Sequence, residues 1–131
     1  GMVLPTFVQS ALLGKPITVY GDGTQSRSFT HVKDVVDALI KLMDDSRAEG
    51  EIFNVGNDHE ITINELARKV QEMTGSSSPI EYLSYEKAYG PGFEDMERRC
   101  PNIEKLKNLI EYEPAYNIEA IIQSVIDYFK E

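Results

Sequence analysis

The sequence has no tryptophan, only one cysteine and far fewer bases than acids. Its 131 residues include 13 Lys or Arg and 22 Asp or Glu, which gives a formal net charge of -9 at pH 7. The lone Cys100 excludes an internal disulfide framework and a cysteine-rich metal site, and it makes a reducing, cytoplasmic compartment the default. The shortage of bases argues against nucleic acid and anionic membrane as partners, because both bind basic faces. No apolar run approaches the roughly 18 residues of a membrane span, and no secretion leader is visible.

The length fits one domain, long enough to bury a core without disulfides or metal. Hydrophobic periodicity predicts a mixed α/β (α+β) domain with about five helices and three short strands. We expect residues 85–100, which follow no clear period, to form an ordered loop. The predicted helices are Val3–Leu13, Thr30–Met43, Ile63–Met73, Ile103–Ile110 and Ile118–Phe129, and the predicted strands are Ile17–Tyr20, Glu51–Val55 and Ile80–Leu83.

Helix boundaries carry the clearest local signals. Thr62 and Glu65 form the capping-box pattern T-x-x-E immediately before an apolar stripe, and Gly75 follows that stripe where a left-handed C′ residue belongs. Asn117 is a suitable N-cap for the last helix. A histidine at a helix start, such as His31, is more often a capping or surface residue than a ligand.

A glycine turn after the first predicted strand invites comparison with a dinucleotide-binding fingerprint. The run Gly21-x-Gly23-x-x-Ser26 lacks the third glycine, and the next helix begins only near Thr30. The fingerprint needs a helix N-terminus directly after the turn, to meet the pyrophosphate. We therefore favour a turn that needs positive-φ glycines. An alternative is a loop that lets Arg27 reach a phosphate.

The sequence contains no catalytic or metal-ligating constellation. His31 and His59 have no metal-ligand spacing and no nucleophile arrangement. The segment from Glu94 to Arg99 places two arginines among three acids. One interpretation is local pairing on the surface, and the other is an anion clamp in which Arg27 and Arg98 or Arg99 bind a phosphate.

Longer motifs resemble the extended short-chain dehydrogenase/reductase family, which comprises nucleotide-sugar epimerases, dehydratases and decarboxylases. The resemblance covers nearly the whole chain, and its most specific block lies between Tyr20 and Asp34. The motifs are Met2-Val3-Leu4-Pro5-x-Phe7, Gly14-Lys15-Pro16-Ile17-x-Val19-Tyr20-Gly21-Asp22-Gly23-x-Gln25-x-Arg27-x-Phe29-x-x-Val32-x-Asp34, Phe53-Asn54-Val55-Gly56-Asn57 and Arg98-Arg99-x-Pro101-Asn102-x-x-Lys105.

The resemblance implies a longer parent enzyme. Family members carry an N-terminal Rossmann domain with the NAD fingerprint and a catalytic Tyr-x-x-x-Lys pair, and none of the seven tyrosines here has Lys four residues later. Residues 1–131 thus resemble the C-terminal, substrate-binding domain, with no catalytic residues, no NAD or metal site and no dimer interface. We expect the fragment alone to be inactive and the parent to be an NAD-dependent homodimer.

The resemblance also implies roles for particular side chains. Val19 and Tyr20 match positions against the nucleotide base, and Arg27 matches the arginine that binds the diphosphate of a nucleotide sugar. Arg98 and Arg99 match a second phosphate or ribose contact, and the sequence leaves open which of them faces the ligand. Asp34 matches an acid that we interpret as structural, tying the helix start to the loop.

The leading hypothesis is nucleoside-diphosphate binding within a UDP-glucose 4-epimerase-like isomerase, in which NAD oxidises the sugar at C4. A UDP-glucuronate decarboxylase or a dTDP-glucose 4,6-dehydratase of the same family is the alternative. A non-catalytic nucleotide- or protein-binding module is the alternative from a different class.

Overall fold

The computed structural model describes residues 2–131, which form six α-helices and five short strands. This confirms the mixed α/β class, with more elements than the sequence predicts. The helices are α1 (Val3–Leu12), α2 (Val32–Met43), α3 (Ile63–Thr74), α4 (Tyr85–Tyr89), α5 (Glu104–Ile110) and α6 (Ile118–Lys130), and the strands are β1 (Ile17–Tyr20), β2 (Ser26–Ser28), β3 (Glu60–Thr62), β4 (Ile80–Leu83) and β5 (Arg98–Arg99).

The strands form two small sheets. Strand β1 pairs in parallel with β4, and β2 lies between β3, its antiparallel neighbour, and β5, its parallel neighbour. Strand β1 is β-branched at Ile17, Thr18 and Val19, which suits an extended backbone, and Ile17 and Val19 are fully buried. The parallel pair therefore rests on the core and directs its carboxyl ends to one side.

Two clusters of buried side chains make up the core. The larger one joins α1, α3 and α6 to β1, and its fully buried members include Val8, Leu66 and Ile122. The smaller one lies between α2 and α5, around Leu106 and Tyr112. The Tyr112 hydroxyl donates a buried hydrogen bond of 2.9 Å to the Gly56 carbonyl, which satisfies the one polar atom of that side chain.

The predicted helix caps are confirmed. The Thr62 hydroxyl accepts from the Glu65 amide and the Glu65 carboxylate accepts from the Thr62 amide, so both halves of the capping box exist. Gly75 ends α3 with φ of 64°, and Asn117 caps α6 by accepting from the Ala120 amide. His31 caps α2 through its Nδ1. Within residues 2–131, no helix has the length and apolar character that crossing a membrane requires.

Asp34 has a structural role, as expected, but its hydrogen bonds go to a different loop from the one predicted. Its carboxylate is buried and accepts hydrogen bonds from the amides of Ala115 and Tyr116, at 3.0 and 3.3 Å. The carboxylate therefore joins the start of α2 to the segment before α6, rather than to the loop that precedes α2.

Two predictions about local structure are wrong, and the strands β2 and β3 were not predicted. Residues 51–55 are not assigned as a strand, because none of the strands within residues 2–131 pairs with them. The region 85–100 is not only a loop, since it contains α4 and β5. The short strands β2 and β3 escape the sequence pattern because each has three residues, too few to show alternation.

Candidate functional site

A cleft of about 400 Å³ opens at the carboxyl ends of β1 and β4. Tyr20 ends β1, and Tyr85 begins α4 shortly after β4 ends. Helix α1 contributes a wall with Thr6 and Ser10, and Arg27 from β2 lines the cleft as well. The carboxyl ends of parallel strands are where α/β folds bind ligands. We call this feature the Arg27 cleft.

A chain of hydrogen bonds fixes the polar side chains of the Arg27 cleft. The Arg27 guanidinium donates to the Asp95 carboxylate at 2.6 Å and to the Ser26 carbonyl at 2.7 Å. The Tyr85 hydroxyl donates to the same carboxylate at 3.2 Å. Gln25 donates to the Tyr85 oxygen and to the Tyr20 carbonyl, both at 2.9 Å. The network thus orients a half-buried cation at the cleft wall.

The environment of Tyr85 keeps its phenol protonated. Burial is the main cause that raises the pKa of Tyr85, and the adjacent Asp95 carboxylate raises it further. Both effects disfavour the phenolate, because a second negative charge would be poorly solvated beside the first. Tyr85 therefore remains a hydrogen-bond donor to Asp95.

Four aromatic rings line one side of the cleft, and we call them the aromatic cluster: Tyr20, Tyr85, Tyr89 and Phe93. The rings of Tyr89 and Phe93 stack with centroids 4.3 Å apart, and Tyr20 meets Tyr89 edge to face at 5.5 Å. Tyr20, Tyr89 and Phe93 are all exposed. Exposed, mutually supported rings offer apolar faces and edges to a planar ligand group.

The glycine turn does not fit the pyrophosphate of a dinucleotide. Gly21 and Gly23 have φ of 73° and 76°, and the chain then enters β2 rather than a helix. A Cβ at Gly21 would lie 2.6 Å from the Tyr85 ring, and one at Gly23 would lie 2.0 Å from the Asn64 amide. The glycines are therefore needed for a left-handed turn and for close approach of two side chains.

The residues predicted to bind substrate have different environments. Tyr20 and Arg27 line the cleft, whereas the Val19 side chain is fully buried in the larger core cluster. The β2–β5 register pairs Arg27 with Arg99 and Ser26 with Arg98. Since paired residues share a face of a sheet, Arg99 lies on the Arg27 face and Arg98 on the other.

Arg98 is committed to a partner on that other face. Its guanidinium donates to both carboxylate oxygens of Glu60 at 2.7–3.0 Å, and Ser26 Oγ donates to the same carboxylate. These bonds to Arg98 and Ser26 lower the pKa of Glu60. The charges of the 94–99 segment pair with distant residues and not with one another: Arg98 pairs with Glu60, and Asp95 pairs with Arg27. The anion clamp stays a prediction.

Sequence reasoning missed most of the aromatic cluster. Tyr85, Tyr89 and Phe93 recur every four residues, a spacing that aligns side chains on one helix face. That signal was present, but the region has turn residues at Gly90, Pro91 and Gly92 that obscure it. Asp95 was recognised only as one acid in a charged run.

Comparison with known proteins gives a consistent family. Residues 1–56 match the NAD dependent epimerase/dehydratase family. The chain is 40% identical over 129 residues to UDP-N-acetyl-alpha-D-glucosaminuronate decarboxylase of Bacillus cytotoxicus, covering 98% of this chain and 40% of that protein. It is 35% identical over 130 residues to UDP-glucuronic acid decarboxylase 1 of Xenopus tropicalis, covering 99% of this chain and 29% of that protein.

A solved structure extends the likeness to the fold. UDP-glucose 4-epimerase with UDP-glucose from Thermotoga maritima matches with a TM-score of 0.87 at 26% identity, over 99% of this chain and 40% of that one. The chain is therefore similar to the nucleotide-sugar epimerases and dehydratases of the extended short-chain dehydrogenase/reductase family, which confirms the resemblance seen in the sequence. It spans less than half the length of these relatives.

Proposed function

We propose that the chain binds the nucleoside-diphosphate part of a UDP-sugar in the Arg27 cleft, as the C-terminal, substrate-binding domain of a longer NAD-dependent enzyme. Both decarboxylase relatives are named for a UDP-sugar substrate, and the solved structure of the Thermotoga maritima epimerase contains UDP-glucose. In this proposal NAD carries the redox chemistry in the remainder of the enzyme. This chain holds and orients the substrate.

The observation that carries the proposal is a guanidinium beside exposed aromatic rings, in a chain whose net charge is -9. An overall acidic protein repels a diphosphate, so binding needs a local cation in a fixed position. Arg27 meets that need, since an arginine fork matches phosphate oxygens bidentately. The aromatic cluster supplies a surface on which a uracil ring can stack.

Binding then requires Arg27 to exchange partners. Its present partner, the Asp95 carboxylate, is negatively charged, as a phosphate is, so the two compete for the guanidinium. We propose that the diphosphate takes over the guanidinium and that Asp95 keeps the hydrogen bond from Tyr85. Arg99 shares the sheet face of Arg27 and is the better candidate for a second phosphate contact than Arg98, whereas Val19 supports the cleft through packing.

For the reaction of the whole enzyme, the two decarboxylase relatives favour decarboxylation of a UDP-hexuronate, the alternative of the sequence analysis, over 4-epimerisation. The epimerase remains the second candidate because of its fold similarity. The number of carbon atoms in the product distinguishes decarboxylation from 4-epimerisation. Decarboxylation of UDP-glucuronate releases one carbon as CO2, and epimerisation retains all of them.

Titration of the chain with UDP tests the proposed binding. We expect weak binding of UDP to the unaltered chain. Arg27→Ala should reduce the affinity at least about tenfold, because a hydrogen bond to a charged group contributes about 1.5–3 kcal/mol. Calorimetry or chemical-shift titration measures the change. The matched control is Arg98→Ala, which removes the same charge from the opposite face and should change the affinity less than about twofold. Equal losses in both variants would remove Arg27 from the site.

A further inference from the structure

The glycine turn that leads into the Arg27 cleft is attached to the first turn of α3. The Asn64 amide donates to the Gly23 carbonyl at 3.0 Å. The Ile63 amide donates to the Gln25 carbonyl at the same distance. The first amides of a helix have no acceptor within the helix, so carbonyls of another segment can satisfy them. The turn thereby supplies acceptors to α3, and α3 gives the turn a fixed support.

The side chain of Asn64 adds a third bond between the same two segments. Its amide nitrogen donates to the Asp22 carbonyl at 2.9 Å. Its amide oxygen accepts from the hydroxyl of Tyr82, a residue of β4, at 2.9 Å. A Cβ on Gly23 would collide with this amide, so the glycine leaves room for it. Asn64 therefore uses both ends of its amide to join the turn, α3 and β4.

The turn continues directly into residues of the cleft. The Gln25 side chain donates to the Tyr20 carbonyl and to the Tyr85 oxygen, both at 2.9 Å. Arg27 lies two residues further along, so it shares a face of the extended chain with Gln25. Both side chains line the cleft, whereas Asn64 lies behind the turn and does not line it. Asn64 can thus act on a ligand only through the turn.

We propose that Asn64 is a positioning residue for the Arg27 cleft: its amide holds the glycine turn on α3, and the turn places Gln25 and Arg27 for a diphosphate. The proposal rests on the proposed function, because it concerns how the same site binds UDP. A side chain that is already held in place loses less conformational entropy when a ligand binds. Asparagine suits the position because its amide both donates and accepts, whereas an ionised aspartate can only accept.

Titration of the 131-residue chain and of Asn64→Ala with UDP tests the proposal. We expect the affinity to fall about threefold in the variant, because the ligand must then order the turn. The melting temperature should fall by less than about 5 °C, since the lost bonds are exposed and the capping box remains. The matched control is Asn108→Ala at an exposed position of α5 outside the cleft, which should keep the affinity. Unchanged affinity in Asn64→Ala would overturn the proposal.

Hydrogen exchange gives a measurement that needs no ligand. In Asn64→Ala the amides of residues 63 and 64 should exchange at least about fivefold faster, because they donate to the turn that has been released. The amide of Val70, in the middle of α3, should keep its rate. Unchanged exchange at residues 63 and 64 would overturn the proposal. Equal acceleration at Val70 would do so as well, because it would assign Asn64 to the stability of the helix.

A second variant, Tyr82→Phe, removes only the hydroxyl that donates to Asn64. It should weaken UDP binding about twofold in the unaltered chain and have no further effect in Asn64→Ala, because both changes act through one amide. Equal losses in the two backgrounds would contradict the proposed role. Failure of the proposed function has a different signature: Arg27→Ala would then leave UDP binding unchanged, whatever the exchange at residues 63 and 64.

Discussion

The Arg27 cleft and the outer face of helix α2 differ in how far contacts within residues 2–131 satisfy their side chains. In the cleft, Arg27, Tyr85 and Asp95 satisfy one another through short hydrogen bonds, and neighbouring rings support each other. On the outer face of α2, five large apolar side chains between Val32 and Met43 are exposed, and the nearby residues 52–55 form no backbone–backbone hydrogen bond within the described chain. The comparison shows that the polar side chains of the Arg27 cleft are already fixed by contacts with one another, whereas the apolar side chains on the outer face of α2 have no such contacts within residues 2–131. The predictions below test that difference, from the largest effect to the smallest.

The smaller core cluster and the outer face of α2 should respond very differently to side-chain truncation. Leu106→Ala should lower the free energy of unfolding by about 3 kcal/mol, since the side chain is fully buried and its removal leaves a cavity. Ile40→Ala, on the exposed face of α2, should change it by less than about 0.5 kcal/mol. Urea denaturation measures both. A large loss at Ile40 would mean that the outer face is already packed in the isolated chain.

The anchoring side of α2 contains a second sensitive group. Asp34→Ala should cost about 2 kcal/mol, because it leaves the amides of Ala115 and Tyr116 without their acceptor. Asp37→Ala removes the same charge from an exposed position of the same helix and should have little effect. Chemical denaturation gives the comparison. Similar losses for the two variants would refute the structural role of the buried carboxylate.

The network in the Arg27 cleft predicts a gain of binding. Asp95→Asn should increase the affinity for UDP about threefold, because the amide competes more weakly than a carboxylate for the guanidinium. Titration of the chain with UDP measures this change. Glu94→Gln alters the net charge equally in an exposed neighbour that does not line the cleft and should leave the affinity unchanged. Weaker binding in Asp95→Asn would mean that Asp95 positions Arg27 for the ligand rather than occupying its place.

The smallest expected effect is the pH dependence of the Glu60–Arg98 pair. Its hydrogen bonds to Arg98 and Ser26 hold the pKa of Glu60 below its ordinary value of 4.5. Since the folded pKa lies below the unfolded one, the pair stabilises the fold at neutral pH, and this contribution disappears as pH falls through the folded pKa. The melting temperatures of the unaltered chain and of Glu60→Gln should therefore differ slightly at pH 7 and converge below about pH 4.5. Divergence in acid would contradict the assignment.

Much of the helical structure follows from local sequence. The capping box at Thr62, the left-handed Gly75 and the Asn117 cap were predicted, because each depends on residues within one helical turn. The similarity to the nucleotide-sugar epimerases and dehydratases was predicted as well, because the motifs and their order can be read directly from the sequence. The particular reaction and the site roles of Arg27 and Arg99 remain predictions.

The errors lie where structure depends on distant partners. Residues 51–55 have the composition of a strand, but pairing requires a neighbour that residues 2–131 do not supply. The brief strands β2 and β5 exist because Arg27 and Arg99 come together from far apart in the sequence. Asp34 was correctly identified as structural, yet its partners, Ala115 and Tyr116, lie in a loop that no local pattern indicates.

By itself, the sequence determined five of the six helices, the caps of α2, α3 and α6, the acidic charge and the residue types available for an anion site, because these depend on composition and near neighbours. Only the tertiary structure decided which arginine shares the face of Arg27, since a one-residue change of register moves a side chain to the opposite face of a sheet. It also decided that Asp95 pairs with Arg27 and that α2 leaves one apolar face uncovered. These features depend on contacts between segments that the chain separates.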